Sequence, residues 1–223
     1  MLIDKSMHPE WLSNAFVIAD REGGTGLFVD SGADIAPLVA AAEGWGTTPA
    51  AILRTHSHHD HVVHEDELRR RFGIDVVSSP GEWEWGALAV RGVATPGHSD
   101  DMVAFLVEDV VFTGDTLFKD AVGGGNLEQV RSSVMDVFMA LPDATRVLPG
   151  HTDETTIGRE RAENPFVKVW RGAEPEGSER VRVAGRDATL VVWSPDYDGK
   201  GKAWVRFDDG EDAIVGGSRV ERL

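Results

Sequence analysis

Four histidines and an aspartate fall within six residues, His56-Ser57-His58-His59-Asp60-His61, directly after the apolar run Ala50-Ala51-Ile52-Leu53. Imidazole nitrogens and carboxylate oxygens are the donors that hold zinc, and iron or manganese in similar geometries. The chain has no cysteine, so disulfides and thiolate metal sites are both excluded and any metal must rest on His, Asp or Glu. Three more ligand-type side chains each stand at a turn: His98 in Thr95-Pro96-Gly97-His98-Ser99, Asp115 in Thr113-Gly114-Asp115-Thr116, and His151 in Pro149-Gly150-His151. One histidine in a turn is ordinarily a solvated side chain. A surface turn needs none of the five clustered residues, so the cluster reads as a metal site.

The elements around these residues must position them. The run ending at Leu53 reads as a buried strand, which sets the cluster just past its carboxyl end. Side chains at i and i+2 of an extended segment share a face, so His56 and His58 can enter one cavity. The turn into a helix over 62–72 then re-aims Asp60 and His61. Upstream, 13–19 and 26–29 read as strands, and Asp30-Ser31-Gly32 ends the second of them. Asp30 either orients a metal ligand from behind or simply closes the strand in a turn.

A helix follows over 33–43, then strands over 75–78 and 87–94, with Trp83 and Trp85 as packing residues in a loop or short strand between them. A hairpin spans 102–107 and 110–113, a helical stripe runs from Leu127 to Leu141, and a strand covers 146–148. Strands and helices in alternation predict an α/β (α+β) arrangement. Composition shifts to a linker over 172–178, and the short alternating strands beyond it predict a small SH3-like β-barrel over 178–223, separate from a catalytic domain over 1–171.

The net charge of −16 is spread along the chain and repels nucleic-acid phosphates and anionic lipid. No apolar run is long enough to span a membrane, and the start Met1-Leu2-Ile3-Asp4-Lys5 is not a signal peptide. The expectation is a cytoplasmic enzyme with a small-molecule substrate and neither nucleic acid nor membrane as partner; oligomeric state is left open. His8, His59 and His64 read as surface residues. Ser57 and Ser99 lack a spare His-Asp pair to activate them, and Gly123-Gly124-Gly125 reads as a flexible stretch and not a phosphate loop.

Taken in order, His56-Ser57-His58-His59-Asp60-His61, Thr95-Pro96-Gly97-His98-Ser99, Thr113-Gly114-Asp115-Thr116-Leu117-Phe118 and Pro149-Gly150-His151 give residues 10–171 a specific likeness. This stretch resembles the metallo-β-lactamase superfamily of metallohydrolases, in particular its glyoxalase II-like (hydroxyacylglutathione hydrolase-like) branch. The resemblance implies an αββα sandwich of two mixed sheets with metals at one edge. It implies His56, His58 and His98 on one metal, Asp60, His61 and His151 on a second, and Asp115 bridging them, with Asp60 and Asp115 as catalytic carboxylates. The implied cofactor is a pair of divalent ions, zinc first, with iron or manganese as alternatives. The implied reaction is attack by a metal-bound hydroxide on the carbonyl of a small thioester or ester. Two ions roughly 3.5–4 Å apart can hold a bridging water and bring its pKa down towards about 7.

Glyoxalase II enzymes carry a basic residue after the aspartate motif and a tyrosine past the last histidine. Here Gly123 to Gly125 and Thr152-Asp153 stand in those places, so the resemblance does not extend to glutathione recognition. A mononuclear iron enzyme of the persulfide dioxygenase kind uses a subset of the same ligands, and a lactonase shares the set. A binding protein without turnover is disfavoured by the complete ligand complement.

Overall fold

The structure, a computed structural model, describes residues 1–223. The chain divides into two compact units, one of Met1–Ala94, Asp101–Gly114 and Leu148–Thr152, the other of Thr95–Asp100, Asp115–Val147 and Asp153–Leu223.

The first unit holds a five-stranded sheet in sequence order: β1 (Leu2–Met7), β2 (Asn14–Ala19), β3 (Thr25–Val29), β4 (Thr48–Leu53) and β5 (Asp75–Val77). The first three strands are antiparallel, whereas β3, β4 and β5 run parallel. Parallel neighbours require crossovers. Helix α1 (Ala36–Gly44) supplies one, and the short α2 (His59–Val62) with α3 (Glu65–Phe72) supplies the other. The helix expected over 62–72 is therefore two helices, and the second half of the metal-type cluster, His59 to His61, lies in the first. Strand β1 had no counterpart in the sequence reading.

Strands β6 (Gly81–Trp85), β7 (Leu88–Ala94), β8 (Val103–Val107) and β9 (Val110–Gly114) form an antiparallel run. Trp83 and Trp85 stack on one face of β6, their ring centroids 6.1 Å apart, and pack against the core as expected.

Period-2 alternation splits each central strand between two cores. Leu27, Val29, Ala51 and Leu53 face Val90, Phe105 and Phe112 of the antiparallel run, where Phe16 meets Phe112 edge-on at 5.3 Å. Phe28 and Ile52 point the other way, onto Leu38 of α1 and Leu68 of α3. Strands covered on both faces read as continuous apolar runs, which is why β4 was legible. Each fully buried side chain of this size contributes about 1.5–3 kcal/mol.

In the second unit, α4 (Leu127–Ser132) widens into a π turn over Ser133–Val137 and tightens to a 3-10 turn over Phe138–Ala140. The predicted stripe is real, since Val130, Val134 and Phe138 are buried, but the backbone is not one regular helix. Ser133 Oγ donates to the Pro96 carbonyl where the widening begins. Strand β10 (Arg146–Pro149) pairs with the two-residue β11 (Thr155–Thr156). Helices α5 (Ile157–Glu163) and α6 (Pro165–Trp170) follow, and the sequence reading lacked both. The signal was present: Asn164 caps α6 by accepting from the Phe166 and Val167 amides, and Pro165 takes the first helical position.

Beyond 178 lie β12 (Glu179–Val183), β13 (Arg186–Ser194), β14 (Lys202–Phe207), β15 (Asp212–Gly216) and β16 (Val220–Arg222), antiparallel in the order β15-β14-β13-β12-β16. Of the expected SH3-like barrel, the structure bears out a five-stranded antiparallel sheet in which the last strand, β16, pairs with the first, β12. β15 and β16 are the two edges of this order and share no ladder, and the sheet packs around Val181, Leu190, Val205 and Phe207. Helix α6 lies against β13.

No helix is long and apolar enough to cross a membrane.

Candidate metal centre

Asp30 follows β3 with φ +54°, a left-handed conformation that aspartate tolerates better than most residues. Its buried carboxylate turns towards the strand end beside it. Oδ1 accepts from the Thr55 amide at 2.7 Å, and Oδ2 accepts from Thr55 Oγ1 at 2.8 Å and from His61 Nδ1 at 2.9 Å. Thr55 Oγ1 has given its proton to Asp30, so at 3.1 Å it accepts from His56 Nδ1. One carboxylate thus orders two imidazoles, one directly and one through a hydroxyl. Both histidines are fully buried, and the nitrogen left with a lone pair on each is Nε2.

Gly32 lets this turn form. A Cβ there would overlap the Asp60 carbonyl, while the Ser31 amide donates to the His61 carbonyl at 2.7 Å.

His151 is ordered from the amino-terminal side. Its Nδ1 donates to the Trp11 carbonyl at 3.1 Å, and Asn14 fixes the adjoining turn through Nδ2 to the Pro149 carbonyl at 2.9 Å. Asp60, His61 and His151 bring their ligand atoms within 4.8 Å of one another. Asp60 Oδ2 lies 3.8 Å from His61 Nε2 and 3.6 Å from His151 Nε2. Beside them His56 Nε2 and His58 Nδ1 face each other at 3.0 Å. The first unit therefore gathers five of the seven predicted ligands: His56, His58, Asp60, His61 and His151.

The second unit gathers the remaining two. His98 Nδ1 donates to the Gly124 carbonyl at 2.9 Å, which leaves Nε2 directed at Asp115 Oδ2, 3.6 Å away. Gly123 to Gly125, expected to be a flexible stretch, is instead close-packed. A Cβ on Gly123 would overlap the Asp115 carbonyl, and one on Gly125 would overlap the Gly97 carbonyl.

These residues fit divalent metal. The donors are imidazole and carboxylate only, and His56, His61, His98 and His151 each spend the Nδ1 proton on the protein, which puts the lone pair on Nε2. Asp30 has the orienting role that the sequence left open. The Trp11 and Gly124 carbonyls were not foreseen, since a carbonyl leaves no trace in residue type. His8, thought to carry nothing, stacks on Trp11 at 4.1 Å and accepts from its amide, so it shapes the loop behind His151. His59 sits edge-on to Trp11 at 5.3 Å, and His64 lies at the surface beside Glu67.

No family model matches the chain. A probable metallo-hydrolase of Bacillus subtilis, YqgX, is 31% identical over 68% of this chain and 90% of its own length. A probable polyketide biosynthesis zinc-dependent hydrolase of Bacillus velezensis, BaeB, is 28% identical over 66% of the chain and 76% of its length. A hydroxyacylglutathione hydrolase of Klebsiella pneumoniae is 32% identical over 64% and 63%.

Among solved structures, the BLEG-1 B3 metallo-β-lactamase superposes with TM-score 0.69 at 26% identity, covering 74% of this chain and 99% of its own. ETHE1 from Myxococcus xanthus gives 0.67 at 26%, covering 78% and 92%. TTHA1623 in a di-iron-bound form gives 0.61 at 28%, covering 72% and 98%. On its ligand motifs, its mixed sheets and these likenesses, the chain belongs to the metallo-β-lactamase superfamily of metallohydrolases.

Proposed function

We propose that this protein is a dinuclear metal-dependent hydrolase of a small thioester or ester, with zinc as the first choice of metal and iron or manganese as alternatives. The observation that carries the reading is the Asp60-His61-His151 cluster beside the facing pair His56 and His58, more donors than one ion requires. In this reading His98 and Asp115 complete the set, His56, His58 and His98 serving one ion, Asp60, His61 and His151 the other, and Asp115 both. Support comes from the zinc-dependent and glutathione-thioester hydrolase names among the relatives and from the di-iron form of TTHA1623. Ions bound here would supply Lewis-acid polarisation of the carbonyl and bring the pKa of a water towards about 7.

The chain's own part is orientation. Asp30 keeps His56 and His61 in the tautomer whose Nε2 carries the lone pair, and the Trp11 and Gly124 carbonyls do the same for His151 and His98. Asp60 and Asp115 are the catalytic carboxylates, and Asp60, with its side chain 31% exposed, is the one open to an entering water or substrate.

A second reading, a mononuclear iron oxygenase of the persulfide dioxygenase kind, draws on the same ligands and on the likeness to ETHE1. Metal analysis of the purified protein, paired with turnover of a thioester panel in air and under argon, separates the two. Equal rates in both atmospheres support the hydrolase. Turnover in air alone, with one iron per chain, overturns it.

A further inference from the structure

Within the second unit the C-terminal sheet touches the segment that carries the metal-type residues. Gly125 pairs with Ile214 of β15 in an antiparallel bridge, and the Ile214 carbonyl lies 3.6 Å from where a Gly124 Cβ would stand. On their other side the same glycines press on the ligand-bearing backbone. Gly123 leaves no room for a Cβ beside the Asp115 carbonyl, and its Cβ position is 3.3 Å from His98 Cβ. Between the two contacts, the Gly124 carbonyl takes the His98 Nδ1 proton at 2.9 Å. A second brace comes from the connection between β13 and β14. Tyr197 meets Phe118, three residues past Asp115, edge-on at 5.3 Å. The base of that connection is pinned by Lys202 and Asp196, 2.9 Å apart with side chains only 11% and 4% exposed.

We propose that the C-terminal sheet is a positioning element for the metal centre, with β15 and Tyr197 holding the 116–126 segment so that His98 Nε2 and Asp115 keep their places. The inference rests on the metal-centre reading above. Three successive glycines lose more backbone entropy on ordering than any other triplet. A carbonyl carried by such a stretch orients an imidazole well only if something backs the stretch. Gly123 and Gly125 are needed because a Cβ on either would overlap the backbone beside Asp115 and His98, and the sheet backs the stretch through Ile214 on the outer side. Tyr197 is a positioning residue in this scheme, acting through Phe118.

The test is a cobalt(II) titration of the full-length chain, read by visible absorption and compared with the thermal midpoint of the metal-free protein. The unsubstituted chain should show two binding steps. Tyr197→Ala, which removes the ring contact, and Gly124→Leu, which pushes a side chain towards β15, should each weaken one step by about tenfold and change its absorption band. The other step and the thermal midpoint should stay close to those of the parent. Tyr197→Phe should behave as the parent. Two unweakened, spectrally unchanged steps in both Tyr197→Ala and Gly124→Leu would overturn the inference, as would a Tyr197→Phe protein indistinguishable from Tyr197→Ala. If the parent chain itself binds no cobalt, the metal-centre reading fails, a result distinct from parent-like binding in the variants.

Discussion

Asp30 Oδ2 and His61 Nδ1 meet at 2.9 Å with both side chains shut away from solvent. The same carboxylate accepts twice from Thr55, whose hydroxyl orders His56. Asp30→Ala removes the anchor of two imidazoles at once. Metal affinity should fall about 10–100-fold, as measured by competition with a chromophoric chelator. Unchanged affinity would mean that the two rings are held by packing alone.

Metal count is the next expectation. Reconstituted protein should hold about two ions per chain, the number a two-metal hydrolase site requires. Asp115→Ala should lower occupancy of both positions, whereas His151→Ala should lower one. Full occupancy in Asp115→Ala would show that the carboxylate is not shared.

No serine should carry the reaction. Ser57 is exposed and stands between two ligand histidines, and Ser99 follows His98 directly. Ser57→Ala and Ser99→Ala should each leave turnover within about tenfold of the parent, a barrier change of at most about 1.4 kcal/mol. A trapped acyl-serine would sink the proposal.

Asp20 links pH to stability far from the metal residues. It accepts from the Ala87 amide at 3.0 Å and the Thr25 amide at 2.9 Å, tying the β6–β7 turn to the β2–β3 turn. The Ala87 amide, with Thr25 and Arg21 adding to it, holds this carboxyl below its ordinary value of 3.8. A depressed folded-state pKa stabilises at pH above the unfolded value, and that contribution is lost as pH falls through the folded one. Asp20→Asn should therefore lower the thermal midpoint near neutral pH and converge with the parent in strong acid. A constant gap across that range would contradict the assignment.

Glu160 is fully buried and accepts from Thr155 Oγ1 at 2.6 Å, Arg159 at 2.8 Å, the Asp120 amide at 2.8 Å and Asn164 Nδ2 at 2.9 Å. Removing the acceptor strands those donors together. Glu160→Ala should cost about 3–5 kcal/mol in chemical denaturation. A loss below about 1 kcal/mol would show that water replaces the carboxylate.

What the sequence made legible follows from where the information resides. Ligand identity is a property of side chains, so His56 to His61, His98, Asp115 and His151 could be read directly. Strand β4 was legible because burial on both faces leaves an uninterrupted apolar run. Helices α5 and α6 were not, since each is only two turns long and too short for a periodicity to build. The π turn after α4 escaped for a different reason: Val130, Val134 and Phe138 keep helical spacing while the backbone between them widens. Alternation beyond 178 reports which residues face inward, and it carries no information on which edges pair: β16 returns to β12, whereas β15 and β16 share no ladder. The glycine triplet reads as slack in sequence because tight packing of backbone on backbone calls for the same residue type as freedom does.

Two of the four oriented histidines lean on main-chain oxygens, His98 on Gly124 and His151 on Trp11, whereas His61 leans on a side chain. No codon change removes a carbonyl, so a substitution at position 11 or 124 reaches its ring only through the path of the chain, as Gly124→Leu would through β15. Asp30 has no such protection. Inherited loss of the centre through an orienting side chain is thus concentrated at codons 30 and 55, and a lineage retuning its metal would find its smallest adjustable steps there.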